Sequence, residues 1–237
     1  MLDRRWRTRV ERGLAPVGER LRRIGVTPDA LTVFGLLASA GTAVLIASGH
    51  LGWAVVGVIV SGLADLLDGA IARGSGQASP RGAFFDSVAD RASDALLLGG
   101  AAWYLAGESA HLPVLAFAVG ACSMLISYER AKAESLGINA RGGLMERAER
   151  FVFLAIGLAF DVLVPVLWVM LLLTAFTAAD RFRRVYRQAD RPPATHARRR
   201  RRDEGPRPAL REWWAARRVD AARTRRQHPA ARRRARP

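Results

Sequence analysis

Apolar and polar positions divide the chain into three zones. Up to Ile24 the sequence is mostly polar, but Trp6, Val10, Leu14, Val17 and Leu21 recur at spacings of mostly three or four. That period predicts an amphipathic, arginine-rich helix lying along a bilayer surface over residues 1–24. From about residue 25 to 189 the apolar runs are long and are interrupted only by short polar or small-residue stretches. After Asp190 the apolar content collapses, and residues 190–237 read as a basic, disordered tail.

Turn and cap signals divide the middle zone into six predicted helices. Thr27-Pro28-Asp29 opens the first, with Thr27 as N-cap and Pro28 in the first turn, and it runs from about Ala30 to Ile46. Ser48-Gly49-His50 turns the chain into a second span from about Trp53 to Arg73. A third is expected from about Gly82 to Leu105 and a fourth from Leu112 to Ala133. The fifth begins within LMERAERF and is expected to reach about Leu163, and Pro165 opens the sixth. The expected fold is all-α, an integral membrane bundle of six transmembrane helices preceded by the interfacial helix.

Charge fixes the expected orientation. The net charge of +16 is carried largely by the ends, with 17 arginines against 5 acids from Asp190 onward and 8 against 3 before Gly25. Basic flanks favour the cytoplasmic side, so both termini are placed there, which an even number of spans allows. The junction of spans 2 and 3, the end of span 4, the start of span 5 and the end of span 6 then share that face. Separate charged clusters are thereby expected to form one polar site. The single cysteine, Cys122, permits no intrachain disulfide, and the four histidines do not cluster. The arginine-rich tail suits anionic headgroups, and no nucleic-acid motif accompanies it. A soluble nucleic-acid binder would not need the apolar middle.

The chemistry lies in ADLLDGAIARGSGQASPRGAFFDSVADRASD, residues 64–94. A carboxylate near the centre of a membrane helix costs about 2.5 kcal/mol or more. Asp65 and Asp68 are one turn apart, and Asp86, Asp90 and Asp94 repeat at every fourth residue, so each set lies along one helix face. The small-residue link GSGQASP lets the two faces meet. Asp65, Asp68, Asp86 and Asp90 therefore suit two hard divalent cations, which neutralise a pyrophosphate and stabilise charge in phosphoryl transfer. Asp94 falls outside this set and is expected to pair with Arg91 or to orient a ligand.

The spacing resembles the signature of the CDP-alcohol phosphotransferases, D-x2-D-G-x2-A-R-x8-G-x3-D-x3-D. Asp65, Asp68, Gly69, Ala72, Arg73, Gly82, Asp86 and Asp90 match every fixed position. The resemblance covers about residues 22 to 189. It implies six transmembrane helices around a polar cavity open to the cytoplasm, a homodimer, and attack of an alcohol on the β-phosphorus of a CDP-linked lipid with release of CMP. It also implies that Asp65, Asp68, Asp86 and Asp90 bind two Mg²⁺ or Mn²⁺ ions, with Asp90 accepting the proton of the attacking hydroxyl. Asp29, Ala30, Leu31, Thr32, Gly69, Arg73 and Ser79 match positions that contact CDP-diacylglycerol.

Within that family, SYERAKAE (127–134) and ERAER (146–150) resemble segments of the actinobacterial phosphatidylinositol phosphate synthases. Arg130, Lys132, Arg147, Arg150 and Arg181 are the matching candidates for holding the phosphate of an acceptor, inositol phosphate. Arg130 and Lys132 exchange the lysine and arginine usual in that branch, which leaves glycerol 3-phosphate open as another acceptor. From the residues alone a cation or proton transporter also remains, because transporters place carboxylates at membrane depth. That reading expects acids near the midplane and internal repeats. Here the acids stand at helix ends and no repeat of fixed period is evident.

Overall fold

The computed structural model describes residues 23–74, 79–140 and 142–189, with 13, 16–18, 20 and 21; the side chains of residues 70 and 72–74 are outside that set. The interfacial helix expected over 1–24 and the tail expected over 190–237 fall largely or wholly outside the described residues. Six helices follow in order: α1 Pro28–Ala47, α2 Leu51–Gly74, α3 Pro80–Ala106, α4 Leu112–Ser135, α5 Arg147–Ala159 and α6 Leu163–Ala189. No strand occurs among the described residues.

Local chemistry sets the boundaries. Thr27 caps α1, its Oγ1 accepting from the Ala30 amide at 3.2 Å, and Pro28 occupies the first turn. Ser79 does the same for α3, accepting from the Gly82 amide at 3.0 Å ahead of Pro80. Helix α4 ends with the Ile138 amide donating to the Ala133 carbonyl at 2.9 Å, and Gly137 at φ +73° makes that reversal accessible. The α5–α6 turn puts Asp161 at φ +54°, a region that short polar side chains tolerate better than most. Helix α5 therefore stops at Ala159, short of the expected Leu163.

Four helices, α1, α2, α4 and α6, are long and apolar enough to cross a membrane. Helix α3 is as long as α6, at 27 residues, but carries Arg81, Asp86, Asp90, Arg91 and Asp94 between its start and its middle. Helix α5, at 13 residues, spans only about 20 Å. The chain is a multi-pass membrane protein. Large apolar side chains such as Leu37, Trp53, Trp103, Phe117 and Leu172 are exposed. Trp53, Trp103 and Trp168 fit the role of interfacial anchors.

Small residues hold the helices together, as expected where lipid removes most of the hydrophobic drive for association. Helix α1 packs on α2 and α3, α3 on α4, and α2 on α5. A Cβ on Gly35 would lie 3.3 Å from that of Ala64, and one on Gly100 would lie 2.5 Å from the carbonyl oxygen of Ala43. Ser39 and Ser61 share a hydrogen bond of 2.5 Å across the α1–α2 contact, and Ser61 also donates to the Gly35 carbonyl at 3.0 Å. Ile46, Val58, Leu97, Leu105, Leu158 and Met170 form part of the buried core. This packing brings the start of α1, the end of α2 and the starts of α3 and α5 together.

Candidate active site

The last three turns of α2 and the first three of α3 supply the carboxylates. One oxygen each from Asp65, Asp86 and Asp90 lie within 4.8 Å of one another. Asp68, 7 % exposed, lines the same cleft as these three, and Thr32 Oγ1 donates to its Oδ2 at 3.0 Å. Thr32 reaches it from the first turns of α1, where the same hydroxyl also lies 3.1 Å from the Pro28 carbonyl. Leu31, Gly35 and Ser61 complete the cleft wall facing the acids. Oxygen ligands converging at this separation fit a hard divalent cation. The donor set therefore suits the metal that the sequence implied.

Arg147, the first residue of α5, is the cation that pairs with this cluster among the described residues. Its Nε lies 3.5 Å from Asp65 Oδ1 and its Nη2 3.4 Å from Asp90 Oδ1. Its Nη1 donates to Asp94 Oδ1 at 3.0 Å and to the backbone carbonyl of Asp90. The guanidinium carbon sits 4.9 Å from the centroid of the Phe151 ring, one turn along α5, and Phe151 in turn packs against Gly62 of α2. Arg150, three residues on, donates from Nη2 to Asp94 Oδ2 at 2.6 Å and is 6 % exposed. Asp94 thus pairs with Arg147 and Arg150 rather than with Arg91. Arg91 donates to Ser87 Oγ at 2.5 Å and reaches the Ser127 carbonyl at 3.5 Å.

The other candidates divide. Asp29 and Ser79 face the same point at the start of α3: a Cβ on Gly82 would lie 3.2 Å from Ser79 Oγ and 3.6 Å from Asp29 Oδ1. Leu31 and Thr32 line the carboxylate cleft, Ala30 is exposed beside Thr27, and Gly69 follows Asp68 half-buried. The Arg73 side chain lies outside the described set. Arg130 is exposed and paired with Glu134 at 3.1 Å, and Lys132 is exposed.

Arg181 is 2 % exposed and donates to the Ile126 carbonyl at 2.8 Å and the Gly142 carbonyl at 3.2 Å. It fastens the α4–α5 loop, as does Thr177, whose hydroxyl accepts from the Met145 amide at 3.2 Å. Arg181 therefore stands behind the segment that presents Arg147, and among the described residues it makes no ion pair with the aspartates of α2 or α3. Sequence reasoning missed Phe151 and the Asp94–Arg150 pair. The four-residue spacing of Arg147 and Phe151 was the available signal for the first.

A family model described as CDP-alcohol phosphatidyltransferase matches residues 25–179. The phosphatidylinositol phosphate synthase of Mycobacteroides abscessus is 36 % identical over 180 residues, covering 72 % of this chain and 82 % of that protein. A crystal structure of the Mycobacterium tuberculosis phosphatidylinositol phosphate synthase with CDP-DAG bound superposes with a TM-score of 0.68 at 30 % identity, over 74 % of this chain and 94 % of that one. The same synthase in complex with manganese and citrate gives a TM-score of 0.67 at 30 % identity, over 73 % and 88 % of the two chains. With the aspartate signature assembled in one cleft, and a matching model over most of the helical region, the chain belongs to the CDP-alcohol phosphatidyltransferase family.

Proposed function

We propose that this protein transfers the phosphatidyl group of CDP-diacylglycerol to a hydroxyl of inositol phosphate, giving phosphatidylinositol phosphate and CMP. The observation that carries this reading is the adjacency of two opposite charge sets. Three carboxylates converge within 4.8 Å, and Arg147 borders them while joined through Asp94 to Arg150. The first set suits the metal-bound pyrophosphate of a CDP-lipid. The second suits the phosphate of an acceptor, which guanidinium groups bind by paired donation. The relatives named phosphatidylinositol phosphate synthase, one of them solved with CDP-DAG bound, support the same choice of substrates.

In this mechanism the acceptor hydroxyl oxygen forms a bond to the β-phosphorus of the CDP-lipid, and the bond from that phosphorus to the CMP oxygen breaks. Asp90 takes the hydroxyl proton, its carboxylate belonging to the three-carboxylate cluster and lying 3.4 Å from Arg147 Nη2. Asp65, Asp68 and Asp86 complete the set that holds Mg²⁺ or Mn²⁺ with Asp90, with two ions as the stoichiometry that four carboxylates favour. The manganese complex of the solved relative supports a divalent ion there. The bound metal supplies charge neutralisation of the pyrophosphate. Asp29, Thr32, Gly69, Arg73 and Ser79 are the candidates for the CDP side, and Arg147 and Arg150 for the acceptor side. The six helices cross the bilayer with both termini and this site on the cytoplasmic side, an arrangement that the basic ends support.

Purified protein with CDP-diacylglycerol, Mn²⁺ or Mg²⁺ and a panel of acceptors tests the reading. CMP is expected with inositol phosphate. CMP with glycerol 3-phosphate alone would reassign the acceptor, and no CMP with any phosphorylated acceptor would refute the proposal.

A further inference from the structure

Asp94 continues the four-residue repeat of Asp86 and Asp90 but does a different job. It lies one further turn along α3, about 6 Å beyond Asp90, and its oxygens are not part of the three-carboxylate cluster. It is 9 % exposed, and each carboxylate oxygen accepts from a different arginine, Oδ1 from Arg147 at 3.0 Å and Oδ2 from Arg150 at 2.6 Å. Those arginines stand three residues apart on α5 and so share one helix face.

We propose that Asp94 is a positioning residue for the acceptor phosphate: it sets Arg147 and Arg150 side by side against the carboxylate cluster. The proposal rests on the reading that the acceptor is phosphorylated. Its physical basis is the competition for Arg147. That guanidinium feels Asp65 and Asp90 as well as Asp94, with its closest side-chain contact to Asp94. Without the Asp94 charge, Arg147 is drawn towards Asp65 and Asp90, and Arg150 loses its only carboxylate partner among the described residues. A purely structural ion pair would hold α3 to α5 and act on every kinetic constant alike.

The test is Asp94→Asn, which keeps the shape and removes the charge, assayed for CMP release with inositol phosphate and CDP-diacylglycerol varied in turn. The expected result is a rise of about 10- to 100-fold in KM for inositol phosphate. The KM for CDP-diacylglycerol is expected to stay within about twofold of wild type. Inorganic phosphate, used as a competitive inhibitor, is expected to weaken in parallel with inositol phosphate. Asp94→Glu, which keeps the charge one methylene further out, is expected to give a smaller rise confined to the acceptor. Equal rises in both KM values, or an acceptor KM within about twofold of wild type, would overturn the proposal. If Asp94→Asn does not accumulate as folded protein, the same two outcomes are read from Asp94→Glu. Wild-type protein that uses no phosphorylated acceptor would instead overturn the functional reading itself.

Discussion

Thr32 offers the most economical probe of the metal half of the site. Its hydroxyl is 8 % exposed at the residue level, and one proton serves two acceptors, Asp68 Oδ2 at 3.0 Å and the Pro28 carbonyl at 3.1 Å. The carboxylate is the stronger of these, because a hydrogen bond to an ionised acceptor is worth about 1.5–3 kcal/mol against about 1 for a neutral pair. Thr32→Val keeps the branched shape and removes the donor. Asp68 then has one oxygen without this partner in a cleft where water has little access. At about 1.4 kcal/mol per factor of ten, the lost bond corresponds to about 10- to 100-fold in Mn²⁺ affinity, the range found when a ligand's outer partner is removed. Titration calorimetry of Mn²⁺ into the purified protein measures this directly. CMP release at saturating Mn²⁺ and saturating CDP-diacylglycerol should recover most of the wild-type rate, since the effect on metal runs through Asp68 and any contact of Thr32 with the CDP side is offset by excess substrate. Thr32→Ser restores the hydroxyl and should bind Mn²⁺ nearly as well as wild type. A Thr32→Val protein with Mn²⁺ affinity within about twofold of wild type would refute the reasoning.

Two further perturbations separate chemistry from packing. Asp90→Asn keeps the side-chain volume but can no longer accept the hydroxyl proton, so CMP release should fall by about 100-fold or more; a variant with near wild-type rates would remove Asp90 as the base. Gly100→Val places a Cβ 2.5 Å from the Ala43 carbonyl oxygen and 2.8 Å from its Cα, so α1 and α3 must part. A loss of about 1–3 kcal/mol is expected, read as a lower Tm, whereas Gly99→Val meets nothing within 4 Å and should melt like wild type. Equal Tm values for the two variants would show that the close α1–α3 approach is not what limits stability.

How much of this was legible in the sequence depends on the range of the interaction. The caps at Thr27 and Ser79 are local, since a hydroxyl, a proline and an amide three residues on suffice, and the helices begin where that chemistry places them. The aspartate spacing is equally local, and turning two helix faces together needed only the short link between them. The end of α5 was harder. Nothing in the apolar run FVFLAIGLAF announces a stop, and the left-handed backbone at Asp161 depends on how α6 returns. Arg181 reads in sequence as a free cation at the end of an apolar helix. Its hydrogen-bond partners are the main-chain carbonyls of Ile126 and Gly142, 55 and 39 residues away, and carbonyls carry no side-chain signature; Glu146, the carboxylate it meets among the described residues, stands at 4.0 Å. The pairing of Arg130 with Glu134 follows a spacing that the sequence did display.

The distances around Arg147 divide five aspartates in one bundle between two charge environments. A guanidinium–carboxylate bond at full strength is about 2.7–2.9 Å long. Arg150 meets Asp94 at 2.6 Å and Arg147 meets it at 3.0 Å, whereas Arg147 stands 3.4 and 3.5 Å from the side chains of Asp90 and Asp65. The arginine pair is therefore anchored on Asp94 and only leans on the cluster. Asp86 and Asp68 make no arginine ion pair among the described residues, and the Asp68 contact is with the neutral Thr32 hydroxyl. A purely structural salt-bridge network would match each buried carboxylate with a guanidinium, since unpaired charge at this depth is costly. Among the described residues, arginine matches Asp94 fully, Asp65 and Asp90 partly, and Asp68 and Asp86 not at all. That gradient, falling from Asp94 towards the cleft, leaves carboxylate oxygens there unmatched by the described arginines, as a site for a bound cation requires.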